Sequence, residues 1–264
     1  MANDVKEMNT LELYYFAPQG VDVAKRYQAA LEPLMVSDGT ERWLAGLEAS
    51  TPTFRAAVEA QIREEADVTA ALSESANQLS QIGTWRRVVE TVARASKDAT
   101  TRDEMLKVGG YGLGQVRSVK DAKEFLVQVK PLVERRKDVL LKRGLAQEVV
   151  DFPGKAQEAL ERGAGNVGKE KAEAVLAGVE TRKWRESMAT MLDRVDDAVE
   201  ILVQQAQFLA GAEPDKTVAA LAAEWTAAIN EARVQSHART AQGDVPPSLT
   251  DNTPAQPVTG GDPG

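Results

Sequence analysis

The chain has 264 residues, enough for one large domain or two small ones with an ample core. Its 43% hydrophobic and 27% charged residues are ordinary globular usage, and a net charge of −8 disfavours general affinity for nucleic acid or an anionic membrane surface. No cysteine is present, which excludes disulfides, thiolate zinc sites and thiol catalysis.

Aromatics make up only 5%, while Ala, Leu and Val are plentiful, a mixture that suits closely packed helices better than a β-sandwich. Met1–Thr10 lacks the basic-then-apolar layout of a signal peptide. No apolar run approaches the ~18 residues of a membrane span, so the expectation is a cytoplasmic protein that does not engage membranes.

Residues 10–17 are the most aromatic stretch, with Tyr14, Tyr15 and Phe16 adjacent. Leu11, Leu13 and Tyr15 alternate as in a short strand, and an extended arm packed on a bundle fits them equally. Pro18 and Gly20 then punctuate the chain, so residues 1–19 are assigned to an aromatic N-terminal arm. Ala24, Tyr27 and Leu31 mark a first helix that stops or kinks near Pro33. Ser37-Asp38-Gly39 reads as a turn, and Trp43, Leu44 and Leu47 as a short helix. Thr51-Pro52 resembles an N-cap followed by proline at the first helical position, opening a long helix to about Ala95 that Gly83 bends or interrupts.

Gly109 to Gly114 form a glycine-rich break at 109–117. Ser118 and Asp121 have capping-box spacing and open a helix to about Arg143. Gly144, Pro153, Gly154, Gly163 and Gly165 divide the next stretch into short pieces. From about Gly168 another long helix follows, whose Met188, Leu192, Val195, Val199, Leu202, Ala206 and Leu209 keep a heptad seam. Gly211 and Pro214 end it, and Val218, Ala222, Trp225, Ile229 and Ala232 place a terminal helix at 212–239. Residues 240–264 are rich in Pro, Gly and Thr, and they are expected to be disordered because they can bury little to offset ordering entropy.

The chain resembles itself. Displaced by 98 positions, Ala24, Lys25, Pro33, Leu34, Gly46 and Leu47 fall on Ala122, Lys123, Pro131, Leu132, Gly144 and Leu145. At a displacement of 99, Trp85-Arg86 fall on Trp184-Arg185. The expected architecture is therefore all-α: an elongated up-and-down bundle of long antiparallel helices formed by duplication of units at 20–108 and 118–211, plus the C-terminal helix and tail.

Chemical motifs are weak. The run Gly110-Tyr111-Gly112-Leu113-Gly114 is one residue short of a phosphate-covering loop, follows no strand, and falls at the joint between the repeats. His237, the lone histidine, has no acidic residue three positions before it. Glu64 with Asp67, and Asp193 with Asp196 and Asp197, are acidic groupings of the kind that exposed helix faces usually carry. The basic stretch from Lys130 to Arg143 is diluted by Glu134 and Asp138 and has no interleaved aromatics for base stacking.

No catalytic, metal or cofactor residue is assigned. The leading expectation is a non-enzymatic bundle that works through a protein partner or self-association, as scaffold, adaptor or assembly subunit. The alternative is a small-ligand binder or enzyme with a polar pocket between the halves, lined by Arg86 and Arg185. Interaction candidates are Tyr14, Tyr15 and Phe16, as a docking element, and Trp85-Arg86 with Trp184-Arg185, as buried anchors or a twinned recognition site.

Overall fold

A computed structural model describes residues 5–35, 42–209, 216–243 and 245–250. Among them the fold is all-α, with no strand. In order, the helices are α1 (Thr10–Arg26), α2 (Gln28–Met35), α3 (Trp43–Arg94), α4 (Ala99–Val108), α5 (Val119–Arg135), α6 (Lys137–Lys142), α7 (Gln147–Phe208) and α8 (Lys216–Ala241). A short 3-10 turn, Pro247–Leu249, follows. The turn expected at Ser37-Asp38-Gly39, the stop at Gly211 and Pro214, and the tail beyond Thr250 lie outside the described residues.

The helices form two compact units. The first takes the described residues up to Glu65 and those from Ala174 onward; the second is Ala66–Glu173. Each long helix therefore supplies one half to each unit. In the first unit α3 and α7 run antiparallel: the Thr181 hydroxyl donates to the Ala57 carbonyl at 3.0 Å, and Gly178 lies beside Gln61. In the second unit Gly163 faces Ser75 and Trp85 reaches Val149, again with one number rising as the other falls.

The aromatic stretch assigned to an arm is instead the start of α1. The Asn9 side chain accepts the Glu12 N–H at 2.8 Å and the Glu12 carboxylate accepts the Asn9 N–H at 2.9 Å, a complete capping box. Beyond it Leu13, Phe16, Ala17, Gly20 and Ala24 repeat at helical spacing and are buried. This burial outweighs the roughly 3 kcal/mol that an interior proline such as Pro18 costs a helix. Gly20 allows close approach: a Cβ there would sit 3.1 Å from Phe16 Cζ and 3.3 Å from Leu192 Cδ2, so those side chains would have to give by a few tenths of an ångström.

Three further expectations are corrected. Thr51 is not an N-cap: it lies inside a continuous α3 and its hydroxyl donates back to the Leu47 carbonyl at 2.8 Å. Gly83 does not interrupt that helix. The glycine- and proline-punctuated stretch before Gly168 belongs to α7, which runs unbroken from Gln147 because packing along α3 outweighs the ~1 kcal/mol that each glycine costs. Pro153 has no N–H for the Val149 carbonyl, and the Trp85 indole N–H takes that place at 2.6 Å.

The tail assignment also changes at its start. α8 continues to Ala241, Leu249 is buried in the first core, and the Ser248 hydroxyl donates to Glu65 at 2.7 Å while accepting from Gln61 at 3.1 Å. Leu249, with Val245 packed beside the same core and Ser248 hydrogen-bonded to α3, docks this turn.

Both halves of the chain share an element order of medium, short, long and then shorter helix. The N-cap pairs Asn9–Glu12 and Ser118–Asp121 stand 109 positions apart, as do the helix breaks at Tyr27 and Arg136 and the buried residues Phe16 and Phe125, Leu31 and Leu140. The register of 98 places Ala24, near the end of α1, against Ala122, in the first turn of α5.

Candidate functional site

Tyr14 is the centre of the most developed polar cluster in the first unit. The spacing of α1 buries its ring, while the phenol reaches α3 and donates to Glu59 Oε1 at 2.6 Å. Arg55 donates to the same phenol oxygen at 3.0 Å and lies 4.7 Å over the ring. Arg239 of α8 stands 5.7 Å from the ring and grips both Glu59 oxygens, at 3.2 and 3.4 Å. Burial pushes the Glu59 carboxyl up, but hydrogen bonds from Arg239 and Tyr14 and the charges of Arg239 and Arg55 outweigh it and hold it below its usual range. The network is closed on itself: it ties α1, α3 and α8 together.

Tyr15 is half-buried and packs edge-on against Tyr14, with ring centres 5.0 Å apart. Phe16 is fully buried and meets Trp225 edge-on at 5.1 Å. The structure thus brings Tyr14, Tyr15 and Phe16 inward.

The two Trp-Arg pairs do related work in different units. Trp85 is buried against Phe125 and Phe152 and is fixed by the Val149 carbonyl. Arg86 donates to the carbonyls of Gly110, Leu113 and Gly114 at 3.0 to 3.3 Å, just ahead of α5. Trp184 is half-buried, its indole bound to Glu180 on its own helix at 2.7 Å. Arg185 donates to the Met8 carbonyl at 2.7 Å, just ahead of α1. Each arginine clamps the segment that enters a medium helix.

The glycine run therefore presents carbonyls to a cation, the reverse of a phosphate loop, which presents N–H groups. Gly110 has φ +79°, and a Cβ there would collide with the Phe125 ring, so glycine is required for the turn itself.

Asp193 and Asp196, neighbours in the sequence grouping, have separate partners. Asp193 pairs with Lys6 at 3.5 Å, whereas Asp196 is buried and accepts the Trp225 indole N–H at 2.8 Å. Glu64 is half-buried and Asp67 exposed. His237 is exposed. Within the basic stretch, Arg136 pairs with Glu104 at 2.9 Å and Lys137 with Asp151 at 3.1 Å.

Two hollows in the second unit, of about 200 Å³ beside Lys130 and Asp151 and about 140 Å³ beside Gly114 and Gln128, are smaller than the ~300 Å³ at which small-molecule pockets begin. A wider one of about 510 Å³ lies open at the end of α7, lined by Ile201, Gln204, Gln205, Phe208 and Leu209.

That end of α7 is where the heptad seam leaves the core. Met188, Leu192, Val195 and Val199 are buried, Leu202 and Ala206 are half-buried, and Leu209 is exposed. Sequence reasoning missed the partners of Tyr14, namely Arg55, Glu59 and Arg239, because they come from distant helices. It also missed the exposed apolar side chains of α7 (Val175, Leu176, Val179, Ile201, Phe208). Their signal was an apolar set at helical spacing off the heptad seam.

No helix among the described residues is long and apolar enough to cross a membrane. No protein-family model, curated protein or solved structure matches the chain.

Proposed function

We propose that this chain is a non-enzymatic helical-bundle protein that acts through protein–protein contacts, as a scaffold, adaptor or assembly subunit. The observation that carries the reading is the outer face of α7 in the first unit, where Phe208 is 90% exposed beside exposed Ile201 and Leu209. A phenylalanine costs about 1.5–3 kcal/mol to leave in water instead of burying it, so a cluster of such side chains marks a surface that is covered in use.

The polar groups support the same view. Arg86 and Arg185, which a ligand pocket would need free, are taken up by backbone carbonyls. The Tyr14 cluster is likewise consumed internally. The shared helix order and the 109-residue spacing of the capped helices favour an origin by duplication, with α8 as the counterpart of α4.

The test is photo-crosslinking in the native host from p-benzoylphenylalanine placed at position 208, with position 234, an exposed site on α8, as control. A discrete protein adduct from 208 alone is expected. No adduct from 208, or the same smear from both sites, would refute the reading.

A further inference from the structure

We infer that the outer face of α7 is built to bind a second copy of this chain, with the two α7 helices antiparallel. The inference rests on the protein-contact reading and names the partner.

Val175, Val179, Ile201 and Phe208 fall within about a quarter-turn arc at 100° per residue, with Leu176 at its edge, on the side of α7 opposite the buried Met188, Leu192 and Val195. They form two apolar patches at the ends of a stretch about 50 Å long. Val175, Leu176 and Val179 make the first; Ile201, Phe208 and Leu209 the second. Each side chain except Ile201 is more than half exposed.

The charges between them are ordered. Arg182 and Lys183 stand beside the first patch, and Asp197 and Glu200 beside the second. Turned end for end, a second copy sets its second patch on the first patch of its partner, Leu176 opposite Phe208. In that register Lys183 falls opposite Ile201, so Arg182 and Lys183 face Glu200 of the other chain. In the middle, Glu186 comes opposite Asp197 with Arg194 one turn away, while Asp193 is already paired with Lys6 of its own chain. Such a surface is complementary to itself under a two-fold rotation, which is what an isologous dimer needs. A parallel pairing would oppose bases to bases and acids to acids.

The patches expose on the order of 600 Å² of apolar side chain per copy, close to the ~800 Å² that each partner buries in a standard interface. The flanking charged stems supply the remainder.

Direction is tested with cysteines, which the chain otherwise lacks. Leu176→Cys and Leu209→Cys proteins are made separately, checked for unchanged helical circular dichroism, and oxidised alone and as an equal mixture. A disulfide-linked dimer in the mixture and little in either protein alone is expected. Dimers within each single variant would mean parallel packing and would overturn the inference. The charge order is tested by Lys183→Glu, which should weaken dimerisation at least tenfold, and by Lys183→Glu with Glu200→Lys, which should restore it. No effect of either would also overturn it. A monomer with no disulfide in any mixture, yet a discrete heterologous adduct from position 208, would discard the second copy and keep the protein-contact reading. A monomer with no adduct would discard both.

Discussion

Asp196 makes the stability of the first unit depend on pH in a direction opposite to that of most carboxylates. Its Oδ1 accepts the Trp225 indole N–H, while its buried Oδ2 accepts no hydrogen bond. Burial pushes the carboxyl from 3.8 up to about 6; the Trp225 bond opposes this, and Asp193, Asp197 and Glu200 add to it. Because the folded value lies above the unfolded one, the folded state binds the proton more tightly. Stability is therefore gained as pH falls from about 6 towards 3.8, and the charged form is a full penalty above about 6. Between pH 7.5 and 4.5 the gain is about 2 kcal/mol by linkage. Asp196→Asn removes the titration. Urea unfolding of both proteins across that range, read by hydrogen exchange at α8, should show their stability difference changing by about 2 kcal/mol. Glu59, Asp98, Asp121 and Asp151 are held below their ordinary values and lose their stabilising effect at lower pH, equally in both proteins. Two curves that stay parallel would refute the burial argument.

Other outcomes follow from single contacts. Trp85→Phe keeps a ring but strands the Val149 carbonyl, which Pro153 cannot satisfy, and should cost about 1–3 kcal/mol. Adding Pro153→Ala supplies an N–H and should recover part of that loss in a double-mutant cycle; strictly additive effects would sink the pairing. Gly110→Ala should destabilise the second unit by about 2–4 kcal/mol, through strain at positive φ and collision with Phe125. Gly112→Ala, also at positive φ but with open space around it, should cost only about 1 kcal/mol in the same melt. Ending the chain after Gly243 removes the buried Leu249 and should cost about 2–4 kcal/mol; unchanged stability would mean the docked turn contributes nothing.

The helical class was legible because apolar spacing near 3.6 survives almost throughout, and the Ser118–Asp121 cap was legible because a capping box is local. The start of α1 was not. Asn9–Glu12 is an equally local box, but alternation of Leu11, Leu13 and Tyr15 masked it, since α1 buries residues around most of its circumference. Helix continuity through Thr51-Pro52 and through Pro153 to Gly168 is a tertiary effect, decided by α3 and α7 packing on each other. No local propensity records that Trp85 makes up for Pro153. The Trp-Arg pairs were visible as recurring dipeptides, yet their role as clamps on carbonyls ahead of α1 and α5 needs contacts across 24 to 177 residues. The outer face of α7 is carried in the sequence by Val175, Val179, Ile201 and Phe208 at helical spacing, opposite a heptad seam with the stronger periodicity.

The contact surface proposed for this protein is the exposed face of α7, covered by a second copy. Sedimentation equilibrium of the full chain beside Phe208→Asp tests this most directly. Twice the chain mass is expected for the unaltered protein and a single chain mass for the variant, with the same helical content in both. A single chain mass for the unaltered protein across micromolar concentrations, or a dimer that Phe208→Asp leaves intact, would contradict it.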